Sequence, residues 1–123
     1  MLGSINWRLA DLPLEIINFK AIIKGKTVQL DWLVNQNSQV SSYHIERSRD
    51  GIHFENLKMV MARMNEETAN YSEADLLPFN GWSYYRLRMT DIEGRITYSN
   101  VQKVWMNITQ TQIQITPNPA NNL

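Results

Sequence analysis

The chain has 123 residues, with twelve basic and twelve acidic side chains, two histidines and no cysteine. That length suits one domain burying roughly two thirds of its unfolded surface around a single core. Charge neutrality argues against a field that would gather nucleic acid or anionic membrane, and the lack of cysteine excludes thiol catalysis, thiolate metal sites and disulfides.

Residues 1–11 read as a leader or linker: MLGSINWRLADLPLE has no apolar segment of the secretory kind, and no later run reaches the length of a membrane span. From there the dominant period is two. INFKAII sets Ile17, Phe19 and Ala21 on one face of a first strand, and Lys24-Gly25-Lys26 turns it into TVQLDWLV, whose Val28, Leu30 and Trp32 point inward. NQNSQVSS is polar and breaks the pattern. YHIERS resumes it as a third strand, with Arg47 spoiling the apolar face, so this strand is expected near an edge or leaving the core early. Arg49-Asp50-Gly51 is the strongest hairpin signal, since glycine takes positive φ freely and aspartate tolerates it. It leads into a fourth strand, HFENLKMVM. ARMNEETA reads as a crossing loop, NYSEAD as a short fifth strand and LLPFNG as a corner. WSYYRLRMTD alternates strictly and reads as a central sixth strand. Glu93-Gly94 turns it into ITYSNVQKVWM, where a bulge near Ser99-Asn100 would account for Val101 and Val104 falling out of phase with Ile96 and Tyr98.

The expectation is therefore all-β: an antiparallel seven-stranded β-sandwich of fibronectin type III or immunoglobulin character. No cysteine pair brackets a tryptophan, which disfavours the disulfide-bearing immunoglobulin class. Trp32 is assigned to the core. Tyr85 is taken as the tyrosine of the corner, its hydroxyl bonded back to the corner backbone, with Tyr84 as the alternative.

Three blocks, LPLEIINFKA…VQLDW, YHIERSRDGIHFENL and YYRLRMTDIEGRITYSNV, resemble in order the fibronectin-like domain that recurs near the C-terminus of secreted Bacteroidetes proteins. In that family the domain precedes a sorting domain read by the type IX secretion system, whose first motif is similar to Pro117-Asn118-Pro119-Ala120. Two departures are visible: NQNSQVSS replaces an acidic segment, and LLPFNGWS is longer than the usual corner. The resemblance implies a sandwich over residues 12–107, followed over 108–123 by a linker and the truncated start of a sorting domain. It also implies a non-catalytic spacer or docking module, monomeric, with no cofactor. Its partners would be neighbouring domains of a parent protein that is secreted or held at the outer-membrane surface.

Candidate sites are sparse. His44 and His53 flank the hairpin and would approach one another across it, but no third metal ligand is recognisable. Glu46 and Glu55 are expected to face each other, or Arg47 and Arg49, as cross-strand charges. Glu66, Glu67, Glu73 and Asp75 form an acidic region offering oxygen ligands for calcium without the spacing or glycine of a calcium loop. Asn70-Tyr71-Ser72 and Asn107-Ile108-Thr109 match the glycosylation sequon. Trp7, Trp82 and Trp105 lack a forced burial and could form a flat platform that stacks on polysaccharide; the plainer alternative is that they seal the sandwich ends. Leu33, Ile16 and Ile22 sit on the nominally polar face, against a neighbouring domain or the leader. The remaining positions singled out, Asp50, Gly51 and Gly94, are structural.

Overall fold

The structure is a computed structural model and describes residues 16–35 and 37–108, with only the backbone of Ile17. Trp7 and the Pro117-Asn118-Pro119-Ala120 motif lie outside the described residues, as do the whole of the leader and all but the first residue of the C-terminal segment.

Among the described residues, eight strands form two antiparallel sheets. The first sheet has the order β1 (Ile16–Lys24), β2 (Thr27–Val34) and β5 (Ala69–Asp75). The second has five strands: β4 (Glu55–Met61), β3 (Val40–Ser48) and β6 (Gly81–Asp91) in that order, with β7 (Ile96–Tyr98) and β8 (Gln102–Met106) both paired to β6. Alternation explains this arrangement. In β2 every second residue is buried from Val28 to Val34, and in β6 from Ser83 to Asp91, so each sheet turns one apolar face to the other. Between them pack Phe19, Leu30, Trp32, Tyr43, Ile45, Tyr71, Tyr85, Leu87 and Met89. Trp32 stacks on Tyr71 at 5.1 Å, and Tyr43 tilts against both rings. The burial expected of Trp32 and Tyr85 is therefore what the structure has.

The single last strand expected from the sequence is two. After β7 the chain leaves the ladder and rejoins it three residues later as β8, so Ile96 and Tyr98 face outward while Val104 and Met106 face the core. Ser99 carries the gap: its amide donates to the Leu87 carbonyl at 2.9 Å, and its hydroxyl accepts the Leu87 amide at 2.8 Å. A side-chain oxygen thereby stands in for a strand carbonyl and keeps β6 satisfied. On this side the sheets are joined through Gln102 Oε1, which accepts the Ala21 amide, and Asn100 Nδ2, which donates to the Phe19 carbonyl. On the opposite side the free edges β4 and β5 are bridged by Lys58 and Glu73 at 2.5 Å.

Arg47 does not drive β3 to an edge. β3 lies between β4 and β6, and the guanidinium is accepted at the end of the sandwich by Asp75. ARMNEETA is a loop as expected, whereas the polar run NQNSQV contains one 3-10 turn, Asn37–Gln39, with Asn37 buried.

The β3–β4 connection is organised by Asp50. Its Oδ1 accepts the amides of Ile52 and His53, Oδ2 meets His53 Nδ1 at 2.7 Å, and the Ser48 hydroxyl donates to Oδ1 while accepting the amides of Asp50 and Gly51. The imidazole of His53 first, and then these amides, hold the Asp50 carboxyl well below the usual carboxylate range. Gly51 follows at φ +78°, and a Cβ there would stand 3.1 Å from the Tyr84 ring. Gly51→Ala is therefore expected to cost about 1–2 kcal/mol, from both the left-handed backbone and the ring contact. A chemical denaturation midpoint within error of wild type would contradict this.

The β6–β7 turn is built the same way around Asp91, whose Oδ1 accepts the amides of Glu93 and Arg95 and whose Oδ2 meets Arg95 Nε at 2.8 Å. Gly94 supplies the positive φ of the turn. Burial by itself would raise the Asp91 carboxyl, but the Arg95 amide and guanidinium and the Glu93 amide outweigh it and hold the group low. A carboxylate whose folded pKa lies below its unfolded value contributes stability above the unfolded pKa and loses it as pH falls through the folded one. Unfolding midpoints should accordingly drop as pH goes from about 5 to about 2.5. Asp91→Asn, which keeps an acceptor for the amides, should show a shallower drop; an unchanged slope would remove Asp91 from the acid response.

Candidate functional site

Among the described residues the acidic and histidine positions of the sequence do not assemble a metal-binding cluster. No group of three or more histidine, aspartate or glutamate side chains there could hold a metal ion. His44 and His53 do not meet: His44 pairs in register with Met59 and Arg88, while His53 lies in the connection bonded to Asp50. Burial first, and then the Arg88 guanidinium, lower the His44 pKa.

The four acids proposed for calcium are dispersed. Glu66 pairs with Arg63 at 3.0 Å, Glu67 accepts the Ser38 hydroxyl, Glu73 binds Lys58, and Asp75 is enclosed at the end of β5. Glu46 and Glu55 do not face each other either. Glu55 is in register with Arg47, but the Arg47 guanidinium goes to Asp75; Glu46 bonds Arg86 at 2.7 Å and stands 3.6 Å from Arg88. Of the sequons, Asn70-Tyr71-Ser72 lies within β5 with Tyr71 buried, and Asn107-Ile108-Thr109 runs out of the described residues.

Two polar nodes hold the ends of the sandwich. At one, Asp75 takes Arg47 Nη1 at 3.0 and 3.2 Å, the Leu77 amide at 3.1 Å and the Tyr85 hydroxyl at 2.7 Å. Tyr85 thus ties down the corner through a carboxylate and not, as expected, through the corner backbone directly. Tyr84, the alternative, points outward onto Gly51. Phe79 of the corner lies under both Arg47 and Arg49, at 4.2 and 3.7 Å from its ring centre. These residues border a shallow recess of about 240 Å³ lined also by Asp50, His53 and Glu55. Among its charged side chains Asp50 meets His53, and Arg47 is taken by Asp75.

At the other node Asn37 Oδ1 accepts the hydroxyls of Tyr43 and Tyr71 at 2.7 and 2.8 Å. Its Nδ2 donates to the Arg63 carbonyl at 2.7 Å and its amide to the Glu67 carbonyl at 2.7 Å. Arg63 returns to the same place, its guanidinium stacking on Tyr71 at 4.1 Å, bonding Glu66, and donating to the Asn70 carbonyl. Nothing in the residue pattern marks this node, because an asparagine within a polar run reads as a loop residue.

The tryptophans are brought together differently. Trp82 of β6 and Trp105 of β8 are direct cross-strand partners on the outward face of the five-stranded sheet, 43% and 56% exposed. Their rings meet edge to face, 5.4 Å apart and inclined at 71°. The next pair on the same face of these two strands is Tyr84 and Lys103, and the Lys103 ammonium stands 4.9 Å from the Trp82 ring. Two glycines give the rings room. Gly81, at φ +96°, lies beside the six-membered ring of Trp105, and Gly51 lies beside Tyr84. Further along this face, Arg86 is held between the rings of Phe54 and Tyr98 at 4.1 and 4.3 Å while bonding Glu46. On the outer face of the smaller sheet Leu33 is half-buried and Ile22 exposed, whereas Ile16, expected on that face, pairs with the buried Val34 beyond a register shift and packs against the core.

No family model matches the chain, and no curated protein matches it. Solved structures share its fold. One is pectate lyase Pel3 from Pectobacterium carotovorum, 15% identical, with a TM-score of 0.56 over 70% of this chain and 25% of that one. Another is a beta-1,2-glucanase from Parabacteroides distasonis, 17% identical, with a TM-score of 0.57 over 89% of this chain and 14% of that one. The chain thus spans a quarter or less of the length of these two proteins, and what it shares with them is an all-β, sandwich-like domain.

Proposed function

We propose that the chain is a fibronectin type III-like accessory module, without catalysis of its own, within a larger exported or cell-surface polypeptide. The observation that carries this reading is the strand order. First, second and fifth strands make one sheet, while the fourth lies beside the third in the other; in the immunoglobulin constant arrangement the fourth joins the first sheet. The resemblance to domains that precede a type IX sorting signal supports export. The likeness to short portions of two much longer proteins supports a module within a longer polypeptide. A module of this kind spaces or docks its neighbours, and the two side-chain nodes that stiffen its ends suit that work.

The test is an immunoblot of native cells, medium and outer membrane with an antibody to this domain. A band far above 14.4 kDa in medium or outer membrane is the expected result. A cytoplasmic band at that mass would overturn the reading. Hydrolytic activity lost on changing residues of this domain alone would overturn its non-catalytic part.

A second reading, a carbohydrate-binding module, is favoured by the exposed Trp82–Trp105 pair on an open sheet face. Buried aromatics need no ligand; two half-exposed tryptophans side by side are an apolar surface left uncovered.

A further inference from the structure

Resting on that second reading, we propose that the outward face of β6 and β8 binds a carboxylated polysaccharide, with Trp105 stacking on a sugar ring and Lys103 pairing with a uronate carboxylate. Lys103 is exposed, and among the described residues the only close partner of its ammonium is the Trp82 ring; no carboxylate is paired with it. The ring keeps the ammonium near the face of the sheet. Trp105 and Lys103 are two residues apart on one strand, and so share a face at about 7 Å. A pyranose lying on Trp105 would place a carboxylate on itself or on its neighbour within reach of that ammonium.

Farther along the face the paired charges of β3 and β6 sum to the same sign. Glu46 is engaged by both Arg86 and Arg88, so the pair of arginines leaves one positive charge in excess, and Lys103 adds another. This complementarity is local, because the chain as a whole is neutral. It also disfavours a second copy of the chain as the occupant, since a two-fold pairing of this face would set cations against cations. A linear polymer fits better than a compact ligand: the aromatic and cationic groups lie in line along two strands, on an open surface. The geometry is set in advance, with Gly81 giving Trp105 its place and the Trp82 edge-to-face contact limiting its rotation.

The experiment is affinity electrophoresis and tryptophan fluorescence of the intact chain with polygalacturonate, fully methyl-esterified polygalacturonate, a neutral β-glucan and poly-glutamate. Polygalacturonate should retard the protein and quench its fluorescence, with binding weakened by salt. Esterification should weaken binding by about tenfold, as should Trp105→Ala, and Lys103→Gln should do so by about fivefold. Both variants change exposed side chains, and circular dichroism would verify that each is folded. Equal binding of esterified and free polymer would overturn the uronate assignment while leaving a sugar-binding module in place. No binding to any polysaccharide would overturn both. Poly-glutamate bound as tightly as polygalacturonate would overturn the sugar in favour of an acidic peptide.

Discussion

Asn37→Ala is expected to destabilise the domain by about 3 kcal/mol or more, with a melting temperature lower by roughly 12–20 °C for a folded unit of this size. Asn37 is only 1% exposed, and its carboxamide serves the hydroxyls of Tyr43 and Tyr71 and the carbonyl of Arg63. Truncation strands these groups in a region packed against Trp32, where a donor or acceptor without a partner costs about 1–3 kcal/mol each, less what rearrangement recovers. The loss is not simply additive. Tyr43→Phe and Tyr71→Phe each remove one claimant on Oδ1, so in either background the further cost of removing Asn37 should shrink. Burial, and then the neighbouring Tyr71, raise the Tyr43 pKa well above the ordinary phenol range, so the Tyr43 hydroxyl keeps its proton at neutral pH. Equilibrium unfolding in urea measures the effect. A cost below about 1 kcal/mol for Asn37→Ala would show that the node is a by-product of the fold and not a support of it.

The second large effect belongs to Asp75. Asp75→Ala should cost about 3–5 kcal/mol, because it leaves the Arg47 guanidinium without its carboxylate and the fully buried Tyr85 hydroxyl without an acceptor. Asp75 itself is 3% exposed. Asp75→Asn, which preserves an acceptor for Tyr85 but not the charge, should fall between wild type and alanine. Arg47→Met in the Asp75→Asn background should recover part of the loss by removing the unpaired cation. If Asp75→Ala and Asp75→Asn were equally and only slightly destabilised, the corner would be held by Phe79 and its stacked arginines instead.

Both nodes show where the sequence was readable and where it was not. Period-two alternation placed Trp32, Tyr85, Leu87 and Met89 inside, because a strand offers only two faces and tertiary contacts rarely overrule a long alternating run. It failed where the ladder slips. The register shifts between Val40 and Ser42, between Ile45 and Glu46, and across Ser99 each move later residues off the simple parity. Arg47 misled for another reason: a charge at an inward position looks like an edge until its partner 28 residues later is known. Asn37 illustrates the same limit, since the groups that bury it come from three other stretches of chain. Trp82 and Trp105 could be nominated singly as unburied, but their pairing depends on the break between β7 and β8, which brings β8 back to β6 at that register.

The path of the chain through the sandwich has a mechanical consequence. β1 begins opposite Val34 at one end, and β8 finishes opposite Gly81 at the other. A pull applied through both termini of the domain therefore draws β1 along β2 and β8 along β6, loading each ladder in shear, so that its hydrogen bonds share the force instead of opening one after another. A domain so threaded should resist stretching better than its equilibrium stability alone would suggest.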